Sequence, residues 1–188
     1  MTQVGKSVTI YFVKKEAVTI KIKKLTAMAL LSAVALIIFI VEAQIPLPVP
    51  IPGIKLGLSN IVTVYGVYAL GPGGAAMILF VRIFLGAVFA GNFSTILYSA
   101  AGGYLALLVT VLLCRVLSGK QIWVAGVLGA VAHSIGQMIA AIFIAGTPSL
   151  AIYLPVMVLC SVVSGLFTGL CAQILVNRGK DLWKITSK

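Results

Sequence analysis

Acidic residues are nearly missing from this chain. Among its 188 residues only three are aspartate or glutamate, and charged residues of both signs make up 9%. A soluble domain averages roughly 25% charged residues, so too few polar groups exist here to coat a water-facing surface. The shortage of acid also removes chemistry. There is no pair of carboxylates for general acid–base work and no aspartate-rich motif for metal-bound diphosphate. No phosphate-cradling P-loop occurs, so the chain does not itself hydrolyse ATP. The three cysteines, Cys114, Cys160 and Cys171, are odd in number and lie in apolar runs without metal-ligand spacing. That pattern predicts buried free thiols and sets aside disulfides and zinc. Neither a cofactor nor a metal is expected.

What remains is apolar and basic. Hydrophobic residues make up 61% of the chain, mean hydropathy is +1.19, and the formal net charge is +11. The positive charge gathers at the two ends: Lys6, Lys14, Lys15, Lys21, Lys23 and Lys24, then Arg178, Lys180, Lys184 and Lys188. Such ends read as cytoplasmic flanks beside anionic lipid headgroups, and nucleic-acid binding is not implied.

Six apolar segments follow one another: Leu25–Ala43, Leu58–Leu70, Gly73–Ala90, Thr95–Leu117, Ile122–Ala145 and Leu150–Val176. Turn chemistry separates them. The first, with its basic lead and Val41-Glu42-Ala43, looks like a cleavable signal peptide. It is nevertheless close to the roughly 20 residues that a span requires, and keeping it gives a consistent topology. The second is short and is expected to tilt, or to start inside the membrane from the preceding loop. With the N-terminus inside, every basic residue outside the spans except Lys55 falls on the inner side, as the positive-inside rule asks. Lipid offers no partner to backbone groups, so continuous apolar runs must be helices. The expectation is an all-α, six-helix integral membrane bundle of the cell membrane with both termini cytoplasmic. Residues 1–24 would be a basic extension, 25–177 the membrane domain and 178–188 a basic tail.

Some residues stand out against this background. Arg82 lies about halfway along the third segment, where a charge costs at least ~2.5–3.5 kcal/mol. It either pairs with Glu42, the one acid in the spans, or meets an anionic group of a substrate. In the fifth segment Gly126, Ala130, His133 and Gln137 recur at helical spacing and share a face. In the sixth, Ser161, Gly165, Thr168 and Ala172 do the same. Two such faces either enclose a polar space or pack tightly, with the hydroxyls bonded to their own helix. His133 reads equally as a satisfied core histidine or as a ligand contact. A binding site is expected to use Arg82, His133, Gln137 and Asn60, with Lys55 and Asn92 from the connecting segments. In the first segment Ala29 and Ala33 sit four apart, a small-xxx-small spacing that suits close helix packing within the chain or against a partner.

Between the first two segments prolines fall on alternate positions, Pro46, Pro48, Pro50 and Pro52, followed by Gly53. Proline fixes φ and biases the preceding residue away from helix. The eight residues 45–52 should therefore form a stiff extended strip of ~25 Å, at ~3.1 Å per residue. The strip is either a lid over a pocket or a passive strap. Ser59 or Asn60 is expected to cap the helix that follows.

The string Pro52–Val62 (PGIKLGLSNIV), with Arg82, Phe84–Gly91 (FLGAVFAG) and Ser99–Leu107 (SAAGGYLAL), resembles the Gx transporter family, also labelled heptaprenyl diphosphate synthase component I. The resemblance covers about residues 25–176. That family is similar to the substrate-binding S components of energy-coupling-factor transporters. By resemblance, the chain would bind a vitamin- or cofactor-like molecule near the outer face. Pro46, Pro48, Pro50, Pro52 and Gly53 would form the gate. Ala29 and Ala33 would dock on a transmembrane coupling subunit that engages ATPase subunits. The chain would then be no enzyme. The other label implies a non-catalytic membrane subunit of polyprenyl diphosphate synthesis. A scaffold in a redox or export complex is a third reading.

Overall fold

The computed structural model describes residues 3–45, 55–91 and 94–183, with side chains for 18–19, 21–45, 55–91 and 95–179. Pro46, Pro48, Pro50, Pro52, Gly53 and Asn92 lie outside the described residues. So does nearly all of the extended strip expected over residues 45–52.

Among the described residues there are only helices. They are α1 (Gln3–Glu42), α2 (Asn60–Leu70), α3 (Pro72–Ala90), α4 (Ser94–Val116), α5 (Ile122–Ala145), a 3-10 turn (Pro148–Tyr153) and α6 (Leu154–Trp183). The basic lead and the first apolar run share one uninterrupted helix of 40 residues. Five stretches are long and apolar enough to cross a membrane: Lys21–Glu42, Pro72–Ala90, Thr95–Val116, Ile122–Ala145 and Pro148–Gly179. The chain is thus a multi-pass membrane protein. α2 differs, because its 11 residues reach only about 16 Å at 1.5 Å per residue, against a hydrocarbon core of ~30 Å. The sharp reversal from α2 to α3 runs through Gly71 at φ +82°, a conformation open to glycine, and Pro72 starts α3 where its missing N–H costs nothing.

α4, α5 and α6 pack most extensively, while α1 leans mainly on α3 and on α2. Lipid is as apolar as leucine, so helices gain by close approach of small residues, not by hiding grease from water. The α5–α6 seam shows how. A Cβ added at Gly169 would come within 2.6 Å of the Trp123 carbonyl, and one at Gly165 within 2.8 Å of Val127 Cα. Gly126 faces Gly169 in direct backbone contact. Of the α5 face expected from the sequence, Gly126 and Ala130 therefore meet α6 at Gly165 and Gly169 with no room between them, while His133 and Gln137 turn towards Gly102 of α4. Ser161 donates to the Met157 carbonyl (2.7 Å) and Thr168 to the Gly165 carbonyl (3.2 Å), each on its own helix. Ser134 of α5 and Ser161 add a hydroxyl pair across the seam.

α2 sits inside the bundle. Its residues Val62, Val64 and Val67 are buried, and it touches every other α-helix. This explains how a helix too short to span is held: protein, not lipid, surrounds it. Ala29 and Ala33 are exposed on α1, whereas Ser32 and Ala35 face inward.

Candidate functional site

The polar residues converge at the end of the bundle where α1 gives way to α2. Glu42 closes α1. The chain returns at Lys55, and residues 55–59 pass over the interior before α2 begins. Beneath them stand Arg82 from α3, Ser99 from α4, and His133 and Gln137 from α5; together with Phe39, Glu42, Lys55, Gly57 and Ser59 they line one small space. The side chains close on one another and leave no room for a water molecule.

Arg82 is 1% exposed. It donates from Nη1 to the Ser59 hydroxyl at 2.5 Å, and its Nε has no hydrogen-bond partner. Glu42 is not that partner. Its Oε1 accepts the Gly57 N–H, and its Oε2 is buried without a partner. Of the two fates open to Arg82 on sequence grounds, a direct bond to Glu42 is thus absent. The cap expected at the start of α2 is absent too: Ser59 makes no side-chain capping bond, because its hydroxyl serves Arg82.

Lys55 reaches back along α1. Its ammonium donates to the Phe39 carbonyl at 3.2 Å and lies 3.1 Å above the Phe39 ring centroid, a cation–π geometry. Burial pulls its pKa down to about 8; Glu42 opposes the fall and Arg82 adds to it. Lys55 is therefore mostly charged at neutral pH. Its backbone N–H donates to Gln137 Oε1 at 3.2 Å, which ties the segment to α5. The Leu56 carbonyl accepts from Ser164 of α6 at 3.3 Å.

Gly57 makes this crossing possible. It has φ +82°, and a Cβ there would approach Asn60 Nδ2 at 2.8 Å and the His133 ring at 3.0 Å. Asn60 is 2% exposed, and neither its amide nitrogen nor its oxygen has a partner. The His133 ring packs on Gly102 of α4, where any Cβ would meet it at 3.0 Å. His133 Nδ1 is also without a partner.

The structure thus brings Lys55, Asn60, Arg82, His133 and Gln137 to one place. Phe39, Gly57, Ser99 and Ser164 belong to the same neighbourhood and do not stand out in the sequence. Only Gly57 carries a usable signal there, standing between a lone lysine and a helix start. Ala29 and Ala33 lie apart from the cluster on the exposed flank of α1. Among the described residues no group of histidine, cysteine or carboxylate side chains could hold a metal ion.

A family model described as heptaprenyl diphosphate synthase component I matches residues 31–175. That span includes every residue of the cluster. The chain belongs to this family. None of the curated proteins and none of the solved structures compared with the chain matches it.

Proposed function

We propose that this member of the heptaprenyl diphosphate synthase component I family is the substrate-binding membrane subunit of a transporter. Its substrate is a small anionic molecule of vitamin or cofactor type. The observation that carries this reading is the buried polar cluster around Arg82, set among span-length helices and short of hydrogen-bond partners. Ionisable groups inside a membrane protein mark substrate and ion paths, because they are too costly to keep for packing alone. The site would face the outer side, with both basic termini in the cytoplasm, as the lysine and arginine distribution asks.

Energy would come from separate ATPase subunits through a transmembrane coupling subunit, since the sequence holds no nucleotide motif. Ala29 and Ala33, small and exposed on α1, suit the docking of such a subunit. Pro46, Pro48, Pro50, Pro52 and Gly53 would gate the site, and Asn92 would contribute a polar contact from the α3–α4 connection.

The family's description supports a second reading, a membrane partner in polyprenyl diphosphate synthesis. The cluster speaks against a catalytic part in it, because Glu42 is its only acid. The two readings separate by co-purification from native membranes. The transporter reading expects an ATPase and a coupling subunit with the tagged chain, together with uptake of one small molecule that is lost on deletion. It fails if neither subunit associates and if a purified prenyl diphosphate synthase requires this chain for activity.

A further inference from the structure

The cluster around Arg82 has more hydrogen-bonding capacity than it uses. Arg82 Nε, Glu42 Oε2, His133 Nδ1 and both side-chain polar atoms of Asn60 are buried without partners. These four residues are at most 3% exposed and come from four different helices. Buried donors and acceptors left unpaired cost about 1–3 kcal/mol each, so such a concentration points to groups reserved for something else. The charges tell the same story. Arg82 donates to Ser59, Lys55 to the Phe39 carbonyl, and Glu42 accepts from Gly57. Two positive charges and one negative share a closed space, and each is bonded to a neutral group.

We infer that this cluster recognises the head group of a singly charged anion that also carries a hydrogen-bond donor, as in a hydroxy- or amino-substituted carboxylate. The inference rests on the substrate-binding reading and narrows it. One negative charge balances Arg82 and Lys55 against Glu42. A dianion would leave the site net negative, and a neutral molecule would leave it net positive. The free Nε edge of Arg82 suits a carboxylate oxygen, and charge-assisted bonds of this kind are the strong ones. The Asn60 amide supplies a further donor. Glu42 Oε2 and Asn60 Oδ1 are acceptors, so they ask for a donor on the ligand; a plain carboxylate leaves Glu42 unanswered.

Residues 55–57 keep the site shut. Their backbone groups occupy Gln137, Glu42 and Ser164 on three separate helices. Entry must release those bonds, and release turns Gln137 and Glu42 towards the incoming molecule.

The test uses the full chain in lipid nanodiscs at pH 7.5, with four matched probes read by thermal shift and calorimetry. They are 4-hydroxybenzoate, benzoate, 4-hydroxybenzamide and phenyl phosphate. The expected result is that 4-hydroxybenzoate binds at least tenfold tighter than the other three. Glu42→Gln raises the net charge of the site by one and should reverse the order, with phenyl phosphate binding at least tenfold tighter than 4-hydroxybenzoate. A purely structural Glu42 would not move that preference. If Glu42→Gln does not fold, Lys55→Gln serves: it neutralises the site and should erase the advantage of 4-hydroxybenzoate over 4-hydroxybenzamide. The inference is overturned if no probe binds, if benzoate, the amide or the phosphate binds as well to the unaltered chain, or if the order survives the variant tested. A wrong probe order with ATPase association intact sinks this inference alone. The expected order without such association sinks the transporter reading alone.

Discussion

The α5–α6 seam and the α1–α2 junction solve the same problem in opposite ways. Both place polar atoms inside a membrane protein. At the seam every hydroxyl in view is answered: Ser161 and Thr168 bond carbonyls of their own helix, and Ser134 meets Ser161. Gly126 and Gly169 bring the backbones into contact. At the junction charges and amides are buried and only partly answered. The difference teaches where rigidity ends. A seam with no unsatisfied groups has nothing to gain by opening. A junction that withholds hydrogen bonds has an alternative state within reach, one in which those bonds are made to something else.

The seam should be the easier of the two to destroy. Gly169→Leu places a branched side chain where even a Cβ would press within 2.6–3.1 Å of the Trp123 backbone. Backbone cannot step aside as a side chain can. Overpacking costs typically about 1–3 kcal/mol and sometimes more, and this site belongs at the upper end. The expected outcome is loss of the folded, monodisperse protein in detergent, or a large fall in Tm. Size-exclusion chromatography and thermal denaturation check it. A Gly169→Leu protein that folds with unchanged Tm would show that the seam is looser than its geometry, and the contrast with the junction would collapse.

Arg82→Met probes the other side of the contrast. The substitution keeps much of the volume and removes a buried charge. It leaves the Ser59 hydroxyl without its partner, a cost of about 1–3 kcal/mol. Against this, the desolvation cost of holding Arg82 charged at 1% exposure, with no carboxylate bonded to it, disappears with the charge. The two effects roughly cancel. Tm should therefore change little, while binding of an anionic probe should fall by about a hundredfold, which is about 2.7 kcal/mol at 1.36 kcal/mol per tenfold. Calorimetry on the folded variant measures both. A collapse in Tm like that expected for Gly169→Leu would mean that Arg82 is there for the fold.

Much of this contrast is legible in the amino-acid sequence, but unevenly. Arg82 is legible because an arginine inside an apolar run is conspicuous on energetic grounds alone. His133 and Gln137 are legible because they are the bulky polar members of a stripe of small residues. The shortness of α2 is visible in its turn-bounded length, although six apolar segments resolve into five helices of spanning length and one that is not. What stays hidden depends on how the chain folds back. Ser59 reads as a helix cap because it precedes α2; its partner is Arg82, 23 positions away, and no local signal reports that. The faces of α5 and α6 have the right spacing to meet. Whether they enclose a space turns on which glycine stands opposite which, a register set by two helices together. Phe39 is one apolar residue among many until the fold sets Lys55 over its ring.

The gentlest test of the junction leaves every residue in place and changes only the pH. Lys55 lies outside the spanning segments, and burial lowers its pKa to about 8. The ionisable groups around it are Glu42 from α1, Arg82 from α3 and His133 from α5. Below pH 8 the ammonium is charged and contributes to anion binding. As pH rises through 8 it loses its proton, and its attraction for an anion goes with it. Between pH 7 and pH 9 the charged fraction falls about tenfold for a pKa of 8, so affinity for a singly charged anion should weaken by up to about tenfold. Lys55→Arg should flatten that profile, because a guanidinium stays protonated throughout the range. The unliganded chain should show the opposite trend: unfolded Lys55 keeps its proton to higher pH than folded Lys55, so thermal stability should rise, not fall, between pH 7 and pH 9. Equal slopes for Lys55 and Lys55→Arg would assign the pH dependence to another group and leave Lys55 as a tether to Phe39.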